Sequence, residues 1–469
     1  MSHDSGTRIA ADLRAWIAAA APGARLPSTR TLVARYGASP ITVQRALRVL
    51  VDQGVVETRP GVGSFVRAPR IARPRDYGWQ TAALGAPATR PPVSTALRST
   101  PNDVTALNSA YPDRELLPER LVRAAFSRAA RGDVALTRPP PAGLPELQAW
   151  FAAELAAATP GGVSPPTPGD AIVLPGSQSG LGSTFRALVG AGQPLLVESP
   201  TYWGAISAAA RTGVRMVPVA SGAHGPDPDE VADAFARTGA RVFYAQPHFA
   251  NPTGARWSPD LAERILDVVR RHRAFLVEDD WAHDLGITAE SAPLAARDDA
   301  GHVVYLRTLT KSVSPSVRVA AVLARGPVRE RLLADVQAES LYVSGLLQAV
   351  ALDVVTQPAW RTHLRSLRRA LAARRDLLAD ALHEHVPTAR VEAVPEGGLG
   401  LWVRLPDAVD VHRLARDCEA EGVVVVPGDG WFPAEPTGSY LRLTYSGPDP
   451  GAFPDAARRL GDAVARQLP

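Results

Sequence analysis

The chain is short of two residue types, and each shortage closes a class of explanation. One of its 469 residues is cysteine, Cys418, so no disulfide framework within the chain is possible. Lysine is almost missing as well. Lys and Arg together number 51, and Lys311 is the single lysine among them. A guanidinium stays protonated in proteins, so arginine cannot serve as an amine nucleophile. A lone lysine in that background points to a need for a primary amine at this position. Long apolar runs are absent too. The run AWIAAAAPGA is too short to span a bilayer, and the start, MSHDSGTRIA, lacks a signal peptide's apolar core. No His or Cys cluster shows metal-ligand spacing, and no internal repeat is present. These absences predict a cytoplasmic protein with no metal site.

What is present is ordinary globular composition, 46% hydrophobic and 21% charged, at a length suited to two or three domains. The net charge of +4 is unevenly placed. Residues 1–75 hold 12 Arg against 4 Asp and Glu, and the remainder is net acidic. A basic head on a mildly acidic body suggests that the head meets a polyanion.

The head reads as three helices and a hairpin. RIAADLRAWIAAA (8–20) has apolar residues at helical spacing and stops at Pro22-Gly23. Ser28 caps a second helix carrying Leu32, Val33 and Tyr36, with Gly37 as its stop. Ser39 caps a third, with Pro40 at the first helical position. Val43, Ala46, Leu47 and Leu50 form its apolar stripe, leaving Thr42, Gln44, Arg45 and Arg48 outside it. VVETRPGVGSFVRA alternates like a hairpin around Gly61 and Gly63. A helix–helix–helix–hairpin with a basic surface is the layout of a winged helix-turn-helix, whose third helix enters the major groove. RLPSTRTLVARYGAS, ITVQRALRVL and GVVETRPGVGSFV resemble the GntR family of regulators across residues 1–67. The resemblance implies that Arg25, Arg30, Ser39, Thr42, Gln44 and Arg45 face double-stranded DNA, with Gly61 and Gly63 at the wing tip. Pro40 stands where that family usually has Arg, which removes a donor.

Residues 68–104, rich in Pro and Arg, form a linker by composition. From 105 to 469, short β-prone runs alternate with Ala/Leu/Arg-rich helical stretches. The runs are 171–174, 194–198, 242–245, 275–278, 303–308 and 319–324. That alternation predicts an α/β domain with a mostly parallel sheet, whose ligands bind beyond the carboxyl ends of the strands.

The residues after those strands carry chemistry. Pro175-Gly176-Ser177-Gln178 opens a helix and offers backbone N–H groups to a phosphate. Tyr202 follows 194–198 and can stack on an aromatic ligand or merely pack. QPHFANPTG (246–254) contains the turn Asn251-Pro252-Thr253-Gly254. Asp279 and Asp280 follow 275–278, and one of them can hold a pyridine nitrogen protonated. LTKSVSPSVRVA places Lys311 between Thr308 and Arg318, where a neutral amine can form a Schiff base and the flanking groups suit a phosphate.

These motifs, in this order, resemble a fold type I aminotransferase domain with a smaller C-terminal subdomain. Joined to a GntR head, they resemble the MocR subfamily of regulators over nearly the whole chain. The resemblance implies pyridoxal 5'-phosphate bound through a Schiff base to Lys311. It implies Asp279 on the pyridine nitrogen, Asn251 on the phenolic oxygen and Tyr202 stacked on the ring. Ser177, Gln178, Thr308 and Arg318 would hold the phosphate, and Arg442, in YLRLTYS, would grip an effector's carboxylate. Three positions depart from the pattern. Trp281 replaces a Tyr that bonds the phenolic oxygen. Arg138 replaces a Tyr that reaches the phosphate of the neighbouring subunit. Ser109 and Ala110 replace a glycine of the substrate loop. Two functions fit: a head-to-tail homodimeric regulator on paired or repeated half-sites, sensing an amine, an amino acid or the cofactor itself, or an active aminotransferase with a DNA-binding head.

Overall fold

The computed structural model describes residues 2–67 and 111–468, together with residues 80, 83, 97, 98, 100, 101 and 104–109. Most of the linker and Ala110 therefore lie outside the described residues. The chain divides into two compact units, Met1–Ala88 and Thr89–Pro469.

The first unit holds α1 (Ser2–Ala19), α2 (Thr29–Tyr36) and α3 (Pro40–Asp52), followed by an antiparallel hairpin of β1 (Val56–Arg59) and β2 (Gly63–Val66). α1 starts earlier than its apolar spacing suggests. Ser28 and Ser39 cap α2 and α3 as their position implies, accepting from the N–H of Thr31 and Thr42 at 3.1 and 3.2 Å. Gly37 ends α2 in the left-handed region, at φ 57°. Ile9, Leu13, Leu32, Val43, Ala46, Leu50, Val56 and Val66 close into one apolar core, while Leu47 is only partly buried against it. A truncation such as Leu50→Ala in that core costs about 2–5 kcal/mol.

In the second unit, β3 (Thr105–Ala106) leads to the large sheet. This comprises β4 (Ala171–Leu174), β5 (Pro194–Ser199), β6 (Arg215–Gly222), β7 (Gly225–Pro226), β8 (Val242–Ala245), β9 (Phe275–Asp280), β10 (Val303–Thr308) and β11 (Ala320–Leu323). Their order is β4-β11-β10-β9-β8-β5-β6-β7. Neighbours from β10 through β6 pair parallel; β11 runs against both of its neighbours, and β7 against β6. β4 thus points the same way as β5, β8, β9 and β10, and their carboxyl ends converge on one edge. Both faces are covered by helices, so the central strands are buried on both sides and read as continuous apolar runs.

A smaller sheet follows: β12 (Arg390–Val391), β13 (Gly400–Arg404), β15 (Val426–Pro427) and β16 (Tyr440–Thr444), ordered β12-β13-β16-β15 and antiparallel throughout. β14 (Val423–Val424) pairs instead with β3. The 28-residue helix Pro358–His385 and the helix Phe453–Ala465 pack over it through Leu371, Leu378, Phe453 and Leu460. Among the described residues no helix is long and apolar enough to cross a membrane, and no group of His, Cys, Asp or Glu is placed to hold a metal.

Candidate functional site

The carboxyl ends of the parallel strands border a cavity of about 290 Å³. Ten of the residues singled out in the sequence line it: Ser177, Gln178, Tyr202, Asn251, Asp279, Trp281, Thr308, Lys311, Arg318 and Arg442. Arg138 does not; it sits exposed in the loop before the helix Pro145–Ala157.

Strand alternation separates the two carboxylates at the end of β9, because successive side chains point to opposite faces. Asp279 faces the cavity. Its Oδ2 accepts from Tyr244 Oη and Gln246 Nε2, both at 2.8 Å, while the buried Oδ1 has no partner. Burial raises its pKa to about 6, against the pull of those two donors. Asp280 turns the other way and is bonded by Tyr305 Oη and His283 Nδ1 at 2.7 Å and by Ser291 Oγ at 2.9 Å. Burial opposes its ionisation, but the charge and hydrogen bond of His283 hold it below the usual carboxylate range.

Lys311 reaches into the cavity from the loop after β10, with Nζ 3.4 Å from the centre of the Tyr111 ring. It keeps some surface open to the cavity. Desolvation, then the charges of Arg442 and Arg318, lower its pKa to about 7, opposed by Asp279. The amine is therefore largely neutral just above neutral pH, which is what attack on a carbonyl requires.

At the opposite end, the helix Ser177–Leu188 begins at Gly176 with no side-chain cap, so its first N–H groups and its dipole face the cavity mouth. Gly176 has φ 102°, and a Cβ there would lie 2.5 Å from Arg318 Nη2. Only glycine lets the arginine lie against this turn, where Arg318 Nη2 donates to the carbonyl of Pro175 at 3.3 Å. Two donor sets, a helix start and a guanidinium, thus meet where an anion can sit.

Between these ends, Tyr202 Oη donates to Gln178 Oε1 at 3.1 Å, which fixes the ring. Asn251 Oδ1 accepts from Trp431 Nε1 at 3.2 Å and Arg442 Nε at 3.1 Å. The acceptor end of Asn251 is thereby committed, leaving its amide donor for the cavity. Burial lowers the Arg442 guanidinium to about 10, so it remains protonated at neutral pH. Trp281 Nε1 donates to the carbonyl of Phe249 at 3.1 Å. The indole therefore offers the cavity a ring wall, and its N–H is spent on the loop.

Sequence reasoning missed Gln246, Tyr244, Tyr111, Trp203, Thr310 and Leu97. Gln246 is the bracket of the site: its Nε2 holds Asp279 and its Oε1 accepts from the N–H of Asn251 at 2.8 Å. A signal for it existed, since it is the first residue after β8. No such signal marks Tyr111 or Leu97, which precede every strand of the large sheet.

The donor set fits pyridoxal 5'-phosphate. The orphaned Asp279 Oδ1 matches a protonated ring nitrogen, the helix start and Arg318 match a phosphate, and Lys311 matches an aldehyde. Fold and cavity together define the class: a pyridoxal-phosphate-dependent transferase domain of fold type I, carried behind a winged helix-turn-helix. The profile of aminotransferase class I and II matches residues 103–460, and that of bacterial regulatory proteins of the gntR family matches residues 6–66. The chain belongs to the aminotransferase class I and II family, and its GntR head makes it a member of the MocR subfamily.

A 2-aminoadipate transaminase of Thermus thermophilus is 30% identical over 367 residues, 77% of this chain and 90% of that protein. The probable rhizopine catabolism regulatory protein MocR of Rhizobium meliloti is 27% identical over 94% of this chain and 89% of its own. Among solved structures, the alpha-aminoadipate aminotransferase LysN of Thermus thermophilus, complexed with N-(5'-phosphopyridoxyl)-L-leucine, superposes with a TM-score of 0.75 at 29% identity. That match covers 83% of this chain and 99% of the other.

Proposed function

We propose that this chain is a transcription regulator whose aminotransferase-like body senses a small amine, an amino acid or pyridoxal phosphate itself at Lys311 and passes that state to the DNA-binding head. The observation that carries the reading is Leu97. It belongs to the stretch that leads out of the head, yet it lines the same cavity as Lys311. Its neighbourhood is tied to the body: Arg98 pairs with Glu419 at 2.7 Å, and Asn108 Nδ2 donates to the carbonyl of Arg98 at 3.2 Å. An occupant of the cavity would meet Leu97, and a contact that differs between the occupied and empty states is what switching requires.

Asp279 would hold the proton on the ring nitrogen, Asn251 would donate to the phenolic oxygen, and Tyr202 would stack on the ring. Ser177, Gln178, Thr308 and Arg318 would hold the phosphate. When bound, pyridoxal phosphate supplies an electrophilic carbonyl carbon and an electron-withdrawing ring. Lys311 would present its neutral amine, and Arg442 would grip an effector's carboxylate chiefly through Nη2, since Nε is tied to Asn251 at 3.1 Å and Nη1 donates to the carbonyl of Ser109 at 3.4 Å.

We further propose a homodimer, which fits the same reading. Leu136 is 93% exposed and Leu341 70%, and the loop at Val134 packs on the start of the helix Gly345–Thr356. Arg138, two residues beyond Leu136, lines no part of its own cavity and would in such a dimer reach the partner's phosphate. Two heads then imply paired or repeated half-sites.

The second reading, an active aminotransferase, is favoured by one observation: 30% identity to a transaminase over most of the body. One experiment separates them. Full-length protein loaded with pyridoxal phosphate is titrated onto selected duplex DNA while amino acids are added one by one, with the absorption spectrum and keto-acid release followed in parallel. A regulator gives an amine that shifts spectrum and DNA affinity together, and Lys311→Ala abolishes both shifts. Turnover with DNA affinity unchanged by cofactor, amine or Lys311→Ala overturns the regulator reading.

A further inference from the structure

The head keeps its large apolar side chains in its core, with three exceptions among the described residues: Ile41, Val49 and Val62. Ile41 is the extreme case at 77% exposure. It is the second residue of α3, and the buried stripe Val43, Ala46, Leu50 lies on the far side of that helix. Gln44, Arg45 and Arg48 follow at three, four and seven residues, so they share its exposed face. Ile41 stands at the N-terminal end of that face.

The polar groups of this first turn are already engaged. Ser39 Oγ accepts from the Thr42 N–H at 3.2 Å and pairs with Thr42 Oγ1 at 2.9 Å. A branched aliphatic side chain is thus presented to solvent beside arginines, at the end of the helix whose N-terminal residues meet base edges in this architecture. The surrounding charge favours a polyanion as the occupant, since residues 1–75 hold 12 Arg against 4 acidic residues. The apolar group that a base pair displays in the major groove is the C5-methyl of thymine.

We propose that Ile41 reads a thymine methyl group in each half-site, a specificity that rests on the head's binding operator DNA. Arg45 and Gln44, on either side, supply polar contacts to the neighbouring bases or phosphates. Ile41 replaces polar readout at this position by shape and apolar contact, and it discriminates thymine from cytosine without a hydrogen bond.

The test uses the full chain loaded with pyridoxal phosphate and a duplex that it selects from a random library. Each thymine is then replaced in turn by uracil, which removes only the methyl. Wild type loses about fourfold in affinity at one thymine per half-site, the worth of one buried methyl group. Ile41→Ser loses that sensitivity, and Ile41→Val retains it. Because Ile41 is exposed, both variants keep the fold, and circular dichroism checks this. The proposal is overturned if no thymine is sensitive, or if Ile41→Ser stays equally sensitive. It also falls if Ile41→Ser weakens every duplex alike whether or not the methyl is present, which would mark a protein contact in the groove between α1 and α3. Failure to select any duplex removes the DNA reading of the head, and this proposal with it.

Discussion

Head and body solve opposite problems. Every buried polar or charged side chain among the described residues belongs to the body, while the core of the head is apolar throughout. The head puts its function on a surface that folding does not need: Gln44, Arg45 and Arg48 can be exchanged without touching Val43 or Leu50. The body puts its function where folding is most constrained. Asp279, Arg442 and Thr308 are all nearly inaccessible, and a buried charge without its partners is costly. Surface contacts should therefore fail one by one and with salt, and interior contacts should fail as a unit.

Five measurements bear on that contrast. The largest effect is expected for Lys311→Ala, which removes the chain's only primary side-chain amine. The variant should show no yellow absorption band and no cofactor mass retained after borohydride. A coloured, reducible variant would place the attachment elsewhere.

Next comes Asp279→Asn. Losing a hydrogen bond to a charged group is worth about 1.5–3 kcal/mol, so cofactor affinity should fall roughly 10- to 150-fold. The melting temperature of cofactor-free protein should hold or rise, because an unpaired buried oxygen is replaced by a neutral amide. A cofactor-free protein that melts well below wild type would show that Asp279 serves the fold rather than the ligand.

Arg45→Ala should weaken DNA binding by about 1–3 kcal/mol if the side chain meets a base edge. If it meets phosphate, binding weakens evenly across sequences and the salt slope falls by about 1. Neither case should move the absorption spectrum; a shift would couple the two units more tightly than the comparison allows.

The pH dependence of cofactor uptake follows from Lys311. Its pKa lies near 7 and the neutral amine is the reactive form. Stopped-flow uptake by cofactor-free protein should therefore rise about tenfold from pH 6 to pH 8 and level off above. A rate still climbing at pH 10 would mean an ordinary lysine. The smallest effect is expected for Arg138→Ala, about tenfold or less in cofactor affinity, from one charge-assisted contact across a subunit boundary. Unchanged affinity would remove that role.

Much of this was legible beforehand because it is local. Ser28, Ser39 and Gly37 mark helix ends through their own backbone and side-chain bonding, and the apolar runs mark the central strands. The order of chemical groups at strand ends was legible too, since the chain must leave each parallel strand at the same edge. Resemblance singled out Asp279, but no local feature told it from Asp280: both end β9 on opposite faces, and which face meets the cavity is set by the rest of the fold. Trp281 was readable as a substitution, but its bond to the carbonyl of Phe249 depends on how the loop at 246–254 folds back. Tyr111 and Leu97 carry no motif, and only the folded chain carries them to the cavity.

Two units of different charge, most of their helices and strands, and a single amine suited to carbonyl chemistry can be read from the residues alone. These follow from short-range rules of periodicity, capping and composition. Tertiary structure decided that β11 lies between β4 and β10, which sets Arg318 against Gly176. It also decided that Asp279 alone faces the cavity and that the amine of Lys311 titrates near 7. Desolvation and charge act through space, summed over residues as far apart in the chain as Asp279 and Arg442, and no local pattern encodes that sum.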